Sequence, residues 1–289
     1  LLAIFNAPVG INTETLAYRM QEEIKRNRSK APQIDLGKFD NTLETPHIKW
    51  AKPLSGGKIR MLGLTPFSAY RELAELAQRL DIELTSTLWL TMGRPSNVSG
   101  EYFGLLTESD IMDNLDSLLL NDYDVILLAG VNYDKLSPAQ RKEIIRKVEN
   151  GCGLILVGCH GKNQDILSIS PLAATSVRNY PKRVPQKAME SYLTTAVPWD
   201  LIPPSTCFPC EARGDVYVKT GAFPYLAMRE HGAGRVIALS CITGAGQGKM
   251  VCGLTPDLPY PLPGAAFRDY FELYHLMLAK AVVTAAKRD

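Results

Sequence analysis

The stretches Asp124-Val-Ile-Leu-Leu-Ala-Gly130 and Gly153-Leu-Ile-Leu-Val-Gly-Cys159 decide the fold. Both are apolar without alternation, which is typical of strands that are covered on both faces in a parallel sheet. Between them, Ser137-Pro138 has the pattern of a helix start, and Gly151 is a natural helix stop. A strand, a helix and a second strand at this spacing predict a right-handed crossover, and therefore a parallel α/β fold.

The same alternation of strands and helices continues on both sides of this unit. We predict further strands at 59–65, 84–90, 215–219, 223–229 and 235–241, and helices after residue 68, from residue 108 and over 267–286. The last two strands are joined by a hairpin-like turn at 231–234. This order predicts a three-layer, doubly wound, flavodoxin-like α/β domain, with a mostly parallel sheet and helices on both faces.

The helix that follows Ser68 has an apolar face and a charged face. Its leucines recur at helical spacing, so we expect Leu73, Leu76 and Leu80 to face the sheet. We expect its charged residues to lie mostly outside, in contact with water; these are Arg71, Glu72, Glu75 and Arg79.

The N-terminal region has a different pattern. Residues 13–29 carry apolar residues at four-residue spacing and predict a helix, whereas residues 31–58 are rich in proline and glycine and predict an extended connector. We therefore divide the chain into an N-terminal helix with connector (1–57) and an α/β domain (58–289). The chain opens on Leu1 without a signal-peptide pattern, so we expect a piece of a longer parent protein; an export signal upstream would make that parent exported or periplasmic.

The composition is that of an ordinary globular protein. The 289 residues are 46% hydrophobic and 21% charged, which excludes a disordered chain. With 32 Lys and Arg against 30 Asp and Glu, the net charge of +2 gives no reason to expect nucleic acid as a partner. Apolar runs stay shorter than about 18 residues, so we expect no membrane span.

Six cysteines are too few for a disulfide scaffold in a chain of this length. Cys207-Phe-Pro-Cys210 is the one close pair, and it is compatible with a redox pair, half a zinc site, a local disulfide or two unpaired thiols. Zinc would need two further ligands, and the sequence has no second CxxC and no HxxxH. We expect neither a metal nor another cofactor.

Ligands of open parallel sheets bind beyond the carboxyl ends of the strands, where the strand order reverses. At such an end, Gly158-Cys159-His160-Gly161 follows a core strand, and a sharp turn into a helix N-terminus would lower the pKa of the thiol. Cys159 and His160 are therefore the candidate catalytic residues. The alternative is a half-buried cysteine beside a hydrogen-bonded histidine.

Other strand ends supply candidate binding residues. They are Gly130, Asn132 and Tyr133 after one core strand, Phe67 after the first strand and Tyr102 after the second. Tyr102-Phe103 and Trp199 are the aromatic candidates for stacking on a sugar ring. For each of these aromatic residues, packing within the protein is the alternative.

Three of these patterns together resemble a known superfamily. They are Tyr123–Leu128, then Leu136-Ser137-Pro138, then the run from Gly151 to His160, followed later by Gly234–Leu239 and the final helix. Over residues 58–289 the chain resembles the class I glutamine-amidotransferase-like superfamily, and within it the ThuA-like and β-galactosidase-trimerisation-like branches. The resemblance implies a domain of a larger bacterial, carbohydrate-related protein.

The resemblance also implies roles for particular residues. Cys159-His160-Gly161 is similar to the Cys-His-Gly of PfpI-type cysteine hydrolases, in which the cysteine is the nucleophile. Those enzymes place a glutamate after the first strand, and the nearest carboxylate to that position in this sequence is Glu72. True amidotransferases instead have a His-x-Glu pair downstream of the cysteine, and this sequence has none. In such a hydrolase, the Gly130–Asn132 backbone would supply the oxyanion donors.

These observations lead to one preferred function and two alternatives. We expect a non-catalytic module of a larger carbohydrate-related protein, with a structural, oligomerisation or glycan-associated role. The alternatives are a Cys/His-dependent hydrolase or amidohydrolase of PfpI type and a ThuA-like sugar-modifying enzyme with His160 in its site. The expected partners are other domains of the parent chain, a second copy of this chain, or a carbohydrate.

Overall fold

The computed structural model describes residues 55–66, 70–89, 108–158, 161–175, 182–202, 204–242, 254 and 264–289. Several of the sequence predictions fall elsewhere in the chain. The N-terminal helix at 13–29, residues 31–54 of the predicted connector and four candidate site residues, Phe67, Tyr102, Cys159 and His160, lie outside the described residues.

The described elements follow the predicted alternation. The helices are α1 (Tyr70–Arg79), α2 (Glu108–Leu119), α3 (Pro138–Glu149), α4 (Gln164–Ile169) and α5 (Gly264–Ala285). The longer strands are β1 (Ile59–Pro66), β2 (Ile82–Trp89), β3 (Val125–Ala129), β4 (Gly153–Val157), β10 (Asp215–Thr220), β11 (Phe223–His231) and β12 (Gly234–Leu239). The short strands are β5 (Leu172–Ala174), β6 (Lys182–Arg183), β7 (Gln186–Lys187), β8 (Ser205–Cys207), β9 (Cys210–Ala212) and β13 (Cys241–Ile242).

The main sheet has eight strands in the order β2-β1-β3-β4-β12-β11-β10-β7. The first five run parallel, with Val125 beside Gly153 in the β3–β4 pair and Val236 beside Leu154 in the β4–β12 pair. The remaining three pairs are antiparallel, beginning with the β11–β12 hairpin. The predicted class, a three-layer and mostly parallel α/β domain, is confirmed.

Each face of the sheet carries its own apolar core. Alternate residues of β3 point to opposite faces, so that Leu127 packs in one cluster and Leu128 in the other. Helices α1 and α5 cover the first face, and α2, α3 and α4 cover the second. This double coverage explains why β3 and β4 are continuous apolar runs rather than alternating ones.

Helix α3 begins as its sequence predicts. The Ser137 hydroxyl accepts the backbone N–H of Gln140 at 3.2 Å, and the Gln140 side chain accepts the N–H of Ser137 at 2.9 Å. This reciprocal capping box satisfies two donors that the first helical turn leaves open. The helix ends at Asn150, and the following Gly151 adopts a φ of 108°, a conformation that favours glycine.

The prediction of a water-facing charged side on α1 is wrong. Glu72, Glu75 and Arg79 are only 4%, 7% and 4% exposed. Helix α1 packs against β1 and β2 and also against α5, so more than its leucine face is covered. The opposite charges of Glu75 and Arg79 lie one turn apart and form an ion pair at 3.4 Å, which offsets part of the cost of their burial.

Two small sheets complete the described fold. Strand β8 lies between β13 and β6, and β5 pairs with β9. They extend the domain beyond the carboxyl ends of β4 and β12. Among the described residues, no helix combines the length and the apolar character that crossing a membrane requires.

Candidate functional site

The carboxyl ends of β3 and β4 turn sharply at glycines. Gly130 has a φ of 64°, and its N–H donates to the Val157 carbonyl at 2.8 Å. Gly158 has a φ of 58°, and its N–H donates to the Leu239 carbonyl at 2.9 Å. Both amides thus extend the hydrogen-bond ladder of the sheet by one residue. The N–H of Gly130, one of the expected oxyanion donors, is therefore already bonded to the Val157 carbonyl.

Hydrogen bonds connect the loops that follow these two strands. The Asn132 side chain accepts the Asp134 N–H at 3.0 Å and caps a short 3-10 helix, Tyr133–Lys135. The Asp134 carboxylate then accepts the Lys162 N–H, at 3.0 and 3.1 Å to its two oxygens. The β3 loop therefore holds the backbone at Lys162 in place.

Gly161 could not be replaced without a conflict in this arrangement. Its φ is 135°, and an added Cβ would lie 3.1 Å from both the Asn132 side-chain oxygen and the Tyr133 nitrogen. The backbone can approach the β3 loop this closely because glycine has no side chain. The close approach therefore requires glycine at position 161.

A small cavity lies beside these loops, beyond the ends of β4 and β12. Its lining is mainly apolar with three hydroxyl-bearing residues, and comprises Tyr133, Leu156, Gly161, Leu167, Ser170, Leu172, Ala174, Phe208, Cys210, Ala238, Leu239 and Ser240. The space in which the centre of a water molecule can lie is about 30 Å³, enough for one or two waters. Tyr133 is 3% exposed and forms part of the wall.

The described candidate residues fall into two groups. Gly130, Asn132 and Tyr133 lie together beyond the carboxyl end of β3, and ligand binding there stays a prediction. Glu72 lies on α1, which packs on the opposite face of the sheet from Tyr133, and it does not line the cavity. The positions of Cys159, His160, Phe67 and Tyr102 relative to this edge stay predictions.

Sequence reasoning missed part of the cavity wall. Ser170 caps the end of α4 two residues before β5, and Phe208 and Ser240 flank β8 and β13. Those strands have two or three residues each, too few to show a period of two in the sequence. The single signal was the cluster of proline and cysteine around 203–210, which indicates irregular backbone rather than a site.

The described cysteines have the properties of buried structural thiols. Burial raises the pKa of Cys152, Cys210 and Cys241 to about 12, and also raises the pKa of Cys207. At neutral pH these groups are therefore protonated and are poor nucleophiles. Cys207 and Cys210 form no disulfide, and among the described residues no group of three or more His, Cys, Asp or Glu side chains could hold a metal ion.

Trp199 is not a surface platform for a sugar. Its side chain is 8% exposed, and its indole N–H donates to the Thr194 carbonyl at 3.0 Å. The ring packs within the protein, because it lies in the apolar cluster that α5 covers.

Comparison with known proteins adds information about the fold. No protein-family profile matches the chain, and no curated protein matches it by sequence. Among solved structures, the cytoplasmic protein STM1381 of Salmonella typhimurium LT2 is 14% identical with a TM-score of 0.51, over 78% of this chain and 99% of that one. At this identity the likeness shows a common fold, which agrees with the predicted class.

Two more solved structures resemble the chain with lower scores. A protein of Parabacteroides merdae described as ThuA-like is 12% identical with a TM-score of 0.43, over 79% of this chain and 90% of that one. The β-galactosidase of Bacillus circulans is 10% identical with a TM-score of 0.38, over 64% of this chain and 28% of that one.

Proposed function

We propose that this chain is an amidotransferase-like module of a larger carbohydrate-related protein, with a structural, oligomerisation or glycan-associated role and no turnover of its own. The resemblance of residues 58–289 to that superfamily supports the carbohydrate context. One observation at the ends of β3 and β4 carries the non-catalytic part. Three polar groups there, the Gly130 N–H and the side chains of Asn132 and Asp134, are engaged with the backbone of the protein itself.

That engagement matters because catalysis requires polar groups aimed at a reacting atom. Turning the Asp134 carboxylate toward a substrate would break two contacts to the Lys162 N–H and release the loop. The cavity next to Tyr133 also admits only a small substituent, such as a hydroxymethyl group, and not a complete sugar ring. A glycan would therefore bind along the edge with one substituent in the cavity.

A titration with neutral mono- and oligosaccharides tests the glycan-associated role. Tyr133→Phe removes one hydroxyl from the cavity wall, and Tyr192→Phe removes one from a surface tyrosine that is 41% exposed. We expect Tyr133→Phe to weaken binding several-fold and Tyr192→Phe to leave it unchanged, as measured by calorimetry. Equal affinities in both variants would contradict a glycan site at this edge.

The glycines beside Cys159 favour a second candidate, the PfpI-type hydrolase. Gly158 has left-handed backbone and Gly161 a positive φ, and a sharp turn that presents a nucleophile at a strand end uses such backbone. In this hypothesis Cys159 attacks an acyl carbon, His160 or another histidine takes the thiol proton, and Glu72 is the candidate carboxylate that orients the histidine. The ThuA-like reading instead places His160 in the site of a sugar-modifying enzyme.

Alkylation by iodoacetamide at pH 6, followed by mass spectrometry, separates the two candidates. Cys152, Cys210 and Cys241 are internal controls, because their raised pKa keeps them unreactive. The non-catalytic proposal expects Cys159 to react no faster than a free thiol at this pH. Rapid labelling of Cys159, together with an amidase or esterase activity that Cys159→Ala abolishes, would overturn that proposal in favour of the hydrolase.

A further inference from the structure

Cys207 and Cys241 lie directly opposite each other on neighbouring strands. They are 34 positions apart in the sequence, yet the register of the antiparallel β8–β13 pair places one beside the other. Both are buried, and both belong to the same apolar cluster, so their side chains point to the same side of this small sheet.

The hydrogen-bond pattern shows which kind of antiparallel pair they form. The Phe208 N–H donates to the Ser240 carbonyl at 2.9 Å, so this ladder bond joins the positions directly after Cys207 and directly before Cys241. In an antiparallel ladder such a bond flanks a pair that does not itself exchange backbone hydrogen bonds, so Cys207 and Cys241 form a non-hydrogen-bonded pair. In such pairs the Cα atoms are about 4.5 Å apart and the side chains are closest, which lies within the range that a disulfide spans.

The other half of the CxxC sequence is less well placed. Cys210 belongs to the apolar cluster on the other face, lines the cavity and has its thiol 3.3 Å from the Pro224 carbonyl. Cys207 instead accepts a hydrogen bond from the Thr220 hydroxyl at 3.4 Å, and the Cys241 sulfur lies 3.5 Å from the Tyr274 hydroxyl. The partner of Cys207 is therefore the distant Cys241 and not its sequence neighbour.

We propose that Cys207 and Cys241 are a dithiol site that a disulfide oxidant such as oxidised glutathione converts into a cross-strand disulfide. The thiolate of one cysteine attacks glutathione disulfide, forming a mixed disulfide and releasing one glutathione. The second cysteine then attacks the protein sulfur of that mixed disulfide and releases the other glutathione. Two protein thiols are oxidised, one glutathione disulfide is reduced, and the two thiol protons end on the two glutathione molecules.

The disulfide would join β13, which continues the chain from β12 of the main sheet, to its partner strand β8. Strand β13 follows β12 after one residue, so the disulfide would join the exit of a core strand to β8 beside the cavity. Both sulfurs are shielded from solvent in the folded chain, so exchange requires local opening and is slow. Refolding in a glutathione buffer exposes both thiols to the oxidant and brings the pair to equilibrium.

The test is to refold the reduced full chain in such a buffer, block the remaining thiols and map the tryptic peptides without reduction. Trypsin places Cys207 and Cys210 together in peptide 188–213 and Cys241 in peptide 236–249. We expect these two peptides to be linked, with fragment ions that assign the bond to Cys207. Closing a loop of this length should also raise the unfolding temperature by on the order of 5 °C relative to the reduced chain.

Two variants make the assignment independent of fragmentation. Cys210→Ser is expected to keep the linked peptides, and Cys207→Ser is expected to lose them; circular dichroism confirms that each variant folds. A bond between Cys207 and Cys210, a link through Cys210, or the absence of any link after refolding would each overturn the proposal. If a variant fails to fold, the fragment ions from the chain without substitutions still show whether Cys207 or Cys210 is bonded to Cys241.

Discussion

Gly153 begins β4 at the point where this strand passes closest to the end of α5. A Cβ at this position would lie 2.4 Å from the Ala285 carbonyl oxygen and 2.8 Å from the Ala285 Cβ. Because the obstacle includes backbone, the neighbour cannot move away by a change of rotamer. We expect Gly153→Ala to lower the free energy of unfolding by about 2–3 kcal/mol, as measured by urea denaturation.

Gly63 provides the matched control for that substitution. Its added Cβ would lie 2.5 Å from Leu73 Cδ1, which is the end of a flexible side chain and can rotate away. We expect Gly63→Ala to cost about 1 kcal/mol, clearly less than Gly153→Ala. Equal losses in the two variants would show that the contact between β4 and α5 is looser than the structure indicates.

The Cys152 thiol makes stability depend on pH in the alkaline range. Burial raises its pKa from 9.0 to about 12, so the unfolded chain releases this proton at a lower pH than the folded chain does. The stabilisation is complete below about pH 9 and is lost as the pH rises toward 12. We expect Cys152→Ala to make the decline shallower by up to about 1.4 kcal/mol per pH unit within this window.

Denaturation midpoints at several pH values between 8 and 11 measure that difference. Tyrosines, lysines and the other buried thiols titrate equally in both proteins, so the difference between the two curves isolates Cys152. Parallel curves would mean that this thiol ionises in the folded state as easily as in the unfolded state.

At the scale of elements, the start of α3 is also a connection to α2. The Gln140 side chain donates to the Met112 carbonyl at 3.2 Å and to the Asp116 carboxylate at 2.8 Å, besides completing the capping box with Ser137. We expect Ser137→Ala to cost about 1 kcal/mol and Gln140→Ala to cost more, since it removes both the cap and the link. Urea denaturation measures both values.

Ser137→Asp is the conservative control, because it keeps an oxygen that can accept the N–H of the first turn. It should retain most of the stability that Ser137→Ala loses. A loss as large as that of Ser137→Ala would mean that the hydroxyl contributes through something other than capping.

The elements differ in how much of them the sequence reveals. β3 and β4 could be predicted because each is a run of five residues without a polar side chain, and a helix with a clear cap lies between them. Next to such a helix, a run of this kind indicates a buried strand. The pairing of Cys207 with Cys241 could not be predicted, because two- and three-residue strands carry no periodicity and their register is set by tertiary contacts. The burial of Glu75 and Arg79 was likewise hidden, since their spacing is equally typical of a solvated helix face.

Around the candidate site, the sequence indicates where residues lie in the fold more fully than what they contact. That Gly130, Asn132 and Tyr133 follow the carboxyl end of a core strand could be predicted, whereas ligand binding at this edge stays a prediction. The capture of the Lys162 N–H by Asp134 could not, because it depends on how two loops from different strands approach each other. Pattern rules describe single elements, and this contact exists only between two of them.

For the molecule as a whole, two cores on opposite faces of one sheet make adjacent residues equally important. Ile155 packs on the face covered by α1 and α5, and Leu156 packs on the face covered by α2, α3 and α4. Both residues are buried. We expect Ile155→Ala and Leu156→Ala each to cost about 2–5 kcal/mol. Urea denaturation of both variants measures this.

Leu201→Ala serves as the control for these two truncations, because Leu201 is 56% exposed. It should change stability by no more than about 0.5 kcal/mol. If one of the two core variants were as mild as this control, the sheet would have one buried face rather than two.

The pairing of β4 with β12 has a consequence for synthesis of the chain on the ribosome. Leu154 lies beside Val236, a residue made 82 positions later. At about 5–20 residues per second, translation needs roughly 4–16 s to cover that distance. Throughout this interval β1 to β4 can assemble, but one side of β4 has no neighbour, and its unpaired apolar edge is where a chaperone, or a misfolded copy, would first attach.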